Sequence, residues 1–229
     1  MKLFKVGEHI LGRFEIVDKL GEGAFSVVFK AKDLQSGAEV ALKQGKPGAV
    51  VDLEDEFQKH QKLAPFEFSP TVYECTESPT HGAFLVMSVE GLSMSQRYKT
   101  HGKDFTDSTI MLILWHTLNA INKLHTIGFC HFDLNLGNLA EAKTNDKTRI
   151  LLLDFECAMK FTPDRAQNDI EQILTRLQML ALSPMRLDNI YQTWVIKKDT
   201  DIKALMALVE DIDGFDKDGL FDWEGGDEE

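Results

Sequence analysis

Three early segments carry the two-residue period or the composition of strands. Phe14-Glu-Ile-Val-Asp-Lys-Leu20 and Glu39-Val-Ala-Leu-Lys43 alternate, and Ser26-Val-Val-Phe-Lys-Ala31 is β-branched and aromatic. Gly21 and Gly23 separate the first pair and Ser36-Gly37 the second, which predicts an antiparallel meander. A helical stripe follows over 51–63 (Val51, Leu53, Phe57, Leu63), then a short strand, Ala83–Val89, closed by Gly91. Beyond that the period lengthens. Thr106 or Asp107 caps a helix through His125, with Ile110, Ile113, Leu114, Leu118, Ile121 and Leu124 on one face and Gly128 just past its end. Leu134–Ala140 and Ile150–Phe155 are short pieces flanking a polar loop, Lys143–Arg149. Asn168–Leu182 is helical again and stopped by Pro184, and a last helix covers Ile202–Val209. Strands first and helices second predict an α+β architecture in two lobes: residues 1–90, a reduced helical part over 91–209, and a tail over 210–229.

Composition narrows the function. The 229 residues are 43% hydrophobic and 27% charged, which is ordinary globular usage. The net charge of −12 is concentrated: 210–229 holds ten acidic residues and one lysine, leaving only −3 on the rest. Neither part has the clustered positive charge that nucleic acids or anionic membranes require. Three cysteines (Cys75, Cys130, Cys157) make no disulfide framework and suit a reducing compartment. The N-terminus has charges where a signal peptide is apolar, and the longest apolar run, Ile110–Trp115, is six residues, so a cytoplasmic or nuclear location is expected.

Two constellations carry chemistry. Gly21-Glu-Gly-Ala-Phe-Ser-Val-Val28 joins two strands, and backbone N–H groups of such a hairpin can approach phosphate oxygens. A plain turn explains the glycines equally well, but Lys43 on the next strand strengthens the phosphate reading, with Glu54, Asp55 and Glu56 following to hold it. The second constellation is His131-Phe-Asp133-Leu-Asn-Leu-Gly-Asn138, followed 21 residues after Asp133 by Asp154-Phe-Glu156. Asn138 and Asp154 supply the hard oxygen donors that Mg²⁺ prefers, leaving Asp133 to orient a hydroxyl and accept its proton. Zinc at Cys130, His131 and Cys157 fits no common ligand spacing, so buried thiols are expected there. The acidic stretch Asp211–Gly219 puts glycine where a calcium loop needs its first carboxylate.

Taken together, these motifs resemble a protein kinase, in the family's order and spacing. Phe84–Gly91, Thr109–Gly128 and Phe221-Asp-Trp-Glu224 look more narrowly like the casein kinase 1 and tau-tubulin kinase branch. The resemblance implies a two-lobed protein-kinase-like fold with a reduced C-terminal lobe, using ATP and Mg²⁺ to phosphorylate serine or threonine on a protein. By the same resemblance Gly21, Gly23 and Val28 cover the phosphates, and Lys43, braced by Glu56, contacts them. Ala41, Met87, Ser88 and Glu90 bound the adenine pocket. Asp133 is the catalytic base, with Lys43 and Asn135 also in the catalytic set, Asn138 and Asp154 hold Mg²⁺, and Asp169, opening a helix, braces the catalytic loop.

Four departures qualify the resemblance. Phe132 stands in place of an arginine that pairs with phosphorylated activation loops, and Asn135 in place of a lysine near the γ-phosphate. Glu156 replaces a glycine, as in aminoglycoside phosphotransferases and choline kinases. Only 15 residues separate Asp154 from Asp169, too few for the family's usual activation segment. The alternatives are therefore a pseudokinase serving as a nucleotide-binding or protein-interaction module, with a regulatory protein as partner, and a small-molecule kinase.

Overall fold

Strand alternation decides which side chains can reach a common face, and Met1–Glu90 is built on that rule. The computed structural model describes residues 1–101, 105–144, 147–180, 190, 194, 201–212, 214–219 and 221. They divide into two units, Met1–Glu90 and Gly91–Glu229. In the first, β1 (His9–Ile10), β2 (Phe14–Glu22), β3 (Ser26–Asp33), β4 (Glu39–Gly45), β5 (Val72–Ser78) and β6 (Gly82–Met87) form one sheet. All neighbours are antiparallel, in the order β1-β2-β3-β4-β6-β5. The expected meander is β2 to β4. β1 and β5 are additional: β1 is two residues long, and β5 is an edge strand whose side chains are mostly half-exposed, so neither leaves an apolar pattern.

Val40 and Leu42 enter one apolar cluster with Phe14, Phe29, Phe84 and Val86, while Ala41 faces the other way with Leu53, Leu85 and Met87. Burying a side chain such as Leu42 or Phe84 contributes about 1.5–3 kcal/mol. The Arg13 guanidinium donates to both Asp33 oxygens (3.0 and 3.1 Å) and to Glu74 at 2.6 Å, joining β3 to a strand far from it in the sheet order, so the sheet curls. Gln44, fully buried, accepts from the Phe4 N–H and donates to the Lys2 and His81 carbonyls, which docks the N-terminal residues. Helix α1 (Leu53–Leu63) starts at Asp52, whose side chain accepts from the Asp55 N–H at 2.9 Å.

Gly91–Glu229 contains α2 (Met94–His101), α3 (Asp107–Thr126), β7 (Phe129–Cys130), β8 (Leu139–Thr144), β9 (Lys147–Leu152), β10 (Met159–Lys160), α4 (Pro163–Gln178) and α5 (Ile202–Glu210). Thr106 caps α3 and Gly128 lies beyond it at φ 89°, as its sequence predicts. α3 packs on α4, α5 and β9 through Ile113, Leu114, Leu118, Ile121 and Leu124, all buried. The described residues of the expected loop Lys143–Arg149 are strand: β8 and β9 pair from Leu139↔Leu152 out to Thr144↔Lys147. Their ladder is made by backbone groups, so it extends beyond the apolar side chains. α4 begins five residues before the expected Asn168, because Thr162 caps it and Pro163 supplies a pre-set φ. Pro184, the Asp222-Trp-Glu224 part of the closing motif and half of the acidic tail lie outside the described residues. No described helix is long and apolar enough to cross a membrane.

Candidate functional site

Register places the first group of residues. Val28 on β3 is opposite Gly21 on one side and Lys43 on the other, and Lys43 is in turn opposite Leu85. Alternation turns Lys43 to the face that α1 covers. Of the three acidic candidates on α1, Glu54 and Asp55 are exposed and Glu56 points inward. Lys43 Nζ donates to both Glu56 oxygens at 2.7 Å, with the two residues only 3% and 1% exposed. Burial alone would raise the Glu56 carboxyl, but His60, 3.9 Å away, and the Lys43 ammonium more than offset it and hold it at about 2. A buried pair of this kind is kept ionised by its partner, and removing either member is costly.

The glycine hairpin is closed by the Gly23 N–H donating to the Ser26 carbonyl and the Lys46 N–H to the Phe25 carbonyl. Glu22 accepts from Lys19 and from Lys46, and these hydrogen bonds hold its carboxyl down at about 2. Neither Gly21 nor Gly23 has a positive φ, and a Cβ at either would meet nothing closer than 3.8 Å. The fold itself does not demand glycine there. Ala41 is opposite Met87; the Ser88 N–H donates to the Thr71 carbonyl, and the Ser88 hydroxyl to Glu90.

In the second unit, α4 organises the loop that carries Asp133. Asp169, fully buried, accepts from the His131 N–H (2.9 Å), the Phe132 N–H (2.8 Å) and His125 Nε2 (2.9 Å). Gln172, three residues on and so on the same helix face, accepts from the Leu134 N–H at 2.7 Å. These bonds hold Phe132 at φ 66°, a left-handed conformation disfavoured for a side chain of its size. Burial lowers the His131 pKa, and its neutral ring donates from Nε2 to the Leu153 carbonyl at 2.9 Å. Asp133 is clasped by two carboxamides: Asn138 Nδ2 donates to Oδ2 at 2.9 Å and Asn135 Nδ2 to Oδ1 at 3.2 Å. Asp154, at φ 61°, accepts from the Glu156 N–H at 3.3 Å, and the Phe155 ring between them lies 5.1 Å from that of His131. Asn138 spends its N–H groups on Asp133, so its carbonyl oxygen and the Asp154 carboxylate are the hard donors offered to a cation, a set that fits Mg²⁺.

A family model described as the protein kinase domain matches residues 14–177, well over half of the chain. The chain belongs to the protein kinase family. Its relatives include a probable serine/threonine-protein kinase of Dictyostelium discoideum, 29% identical over 69% of this chain and 32% of that protein. A putative serine/threonine-protein kinase of Caenorhabditis elegans is 30% identical over 70% and 47%. Calcium/calmodulin-dependent protein kinase type 1B of Rattus norvegicus is 30% identical over 67% and 45%. The chain thus spans a third to a half of the length of the curated relatives it matches.

Against this kinase frame, several placements differ from the sequence expectation. Asp169 does not open α4; it sits almost two turns in, because the helix starts at Pro163. Cys130 is buried as expected and burial, reinforced by Asp169, pushes its thiol up to about 11, but Cys157 is only half-buried. His125, Cys130 and Asp169 approach one another within 4.8 Å, yet the Asp169 oxygens already accept three N–H groups, so this is a hydrogen-bond knot. Gln172 and Glu141 escaped the sequence reading. Gln172 was within reach, since it shares the helical face of Asp169. Glu141 was not: it accepts from Arg97 Nη2 (2.7 Å) and Nε (3.0 Å) and from the Leu92 N–H, contacts that no spacing rule announces.

Proposed function

We propose that the chain is an ATP- and Mg²⁺-dependent serine/threonine protein kinase. The observation that carries this reading is Lys43, an ammonium buried against both oxygens of Glu56 and so held for a phosphate partner rather than for solvent. Two glycines that the fold does not require support close approach of phosphate to the hairpin backbone. In this reading Ala41, Met87, Ser88 and Glu90 bound the adenine. Asn138 and Asp154 hold Mg²⁺, which supplies charge neutralisation for the phosphates. Asp133 orients the acceptor hydroxyl and takes its proton. We further place the chain in the casein kinase 1 and tau-tubulin kinase branch, in the cytoplasm or nucleus, with a protein substrate or regulatory protein as partner; its three free cysteines support the location.

One observation favours a second reading, a small-molecule kinase. Only residues 155–162 lie between Asp154 and the start of α4, and they are used by β10 and the Thr162 cap. In this reading the activation segment is shortened and offers little chain to dock a peptide. Radiolabelled ATP offered with protein and peptide acceptors, and separately with amino-alcohols and sugars, decides between them. Label is expected on serine or threonine of a protein, and Asp154→Asn is expected to abolish it. Transfer only to small molecules installs the second reading, and ATP binding without transfer to anything makes the chain a pseudokinase.

A further inference from the structure

We infer that Asn135 is a positioning residue that sets the rotamer of Asp133, a role that rests on the phosphotransferase reading above. The clasp around Asp133 is two-sided. Asn138 takes one carboxylate oxygen and Asn135 the other, and each amide also donates to the Asp133 main-chain carbonyl, at 2.9 and 3.3 Å. The Asn135 carboxamide cannot be turned round, because its Oδ1 accepts from the Gly137 N–H at 2.8 Å. Only a carbonyl oxygen can meet that N–H, so the NH₂ end is the one that faces Asp133. One lone pair on each carboxylate oxygen remains for a substrate, in a direction fixed by two neutral dipoles.

The chemical consequence follows from the charge. In the transfer step the acceptor oxygen bonds to the γ-phosphorus as the bond to the β-phosphate oxygen breaks, the hydroxyl proton passes to Asp133 and ADP leaves. A lysine at position 135 would add positive charge where that phosphoryl group moves; Asn135 orients the base and adds none. Asn135 therefore acts through Asp133 and not on the reacting atoms.

Asn135→Asp separates this role from a structural one. The new carboxylate still accepts from the Gly137 N–H, so the turn is kept, but the donor to Asp133 is gone and a like charge replaces it. The expected result is a fall in kcat of about ten- to a hundred-fold, with KM for ATP within about twofold and an unchanged melting temperature. In the isotope-labelled full chain, the side-chain NH₂ resonances of Asn135 and Asn138 are expected to shift together when Asp133→Asn is introduced. Transfer by Asn135→Asp at the parental rate, or Asn135 resonances that ignore Asp133→Asn, would overturn the assignment. Absence of transfer from the parent chain would instead strike the phosphotransferase reading, while the resonances still decide whether the clasp exists.

Discussion

Lys43 and Asp133 are both charged groups held in one orientation, but by opposite means. In the first unit a charge is matched by a charge: Lys43 and Glu56 are buried together, with His60 3.9 Å from the Glu56 carboxylate. In the second unit Asp133 is held by neutral amides, and the backbone beneath it by the carboxylate of Asp169. The first arrangement rests on a buried ionised carboxylate and is sensitive to pH. The second rests on a helix face and several N–H donors, and leaves the charge of Asp133 uncompensated for chemistry. An ion pair is suited to hold a cation for phosphate; a carboxamide clasp is suited to hold a base.

The contrast breaks most severely at Asp169. Asp169→Ala removes the acceptor for the buried His131 N–H, the part-buried Phe132 N–H and His125, and should cost about 4 kcal/mol, read by chemical denaturation, with the Phe132 turn lost. A loss below about 1 kcal/mol would show that α4 does not carry the loop.

Lys43→Met comes next, at about 3 kcal/mol, because it leaves Glu56 buried without its ammonium. Adding Glu56→Leu should recover most of that loss. The pair also sets a pH window. Glu56 is held at about 2 against an ordinary 4.5, so its contribution is complete above 4.5 and is lost as the pH falls toward 2. The stability difference between the parent and Glu56→Gln should therefore shrink with acidification across that window. A difference that stays constant would mean that the ionised carboxylate contributes nothing.

Gly91→Ala is the mildest test and belongs to the second unit. A Cβ there would lie 2.3 Å from Glu141 Cγ and 2.9 Å from its carbonyl oxygen, so the Arg97–Glu141 contact must shift, at about 2 kcal/mol. Unfolding at the parental midpoint would show that Glu141 moves aside freely.

How much of this was legible in the sequence depends on the range of each contact. The strands from Phe14 to Gly45, α1 and α3 followed from local periodicity, because burial on one face writes itself into the pattern. Lys43 and Glu56 could be paired by combining strand alternation with helix phase. β5 left no such mark, because an edge strand needs little apolar surface. The early start of α4 at Thr162-Pro163 was written in a capping signal that the apolar stripe alone did not register. The double carboxamide clasp was hidden for another reason: Asn135 and Asn138 are visible, but that the NH₂ end of Asn135 faces Asp133 is decided by the Gly137 N–H, a contact its position does not announce.

The central proposal is that Lys43 and Asp154 both take part in binding ATP with Mg²⁺. The most direct measurement is the unfolding midpoint with and without ATP and Mg²⁺ in the parent chain, in Lys43→Met and in Asp154→Asn. The account predicts a rise in the parent, worth about 2–3 kcal/mol when ligand is near a hundredfold above its dissociation constant, and its loss in both variants. A midpoint in the parent that ignores ATP and Mg²⁺, or a rise that survives in either variant, would contradict it.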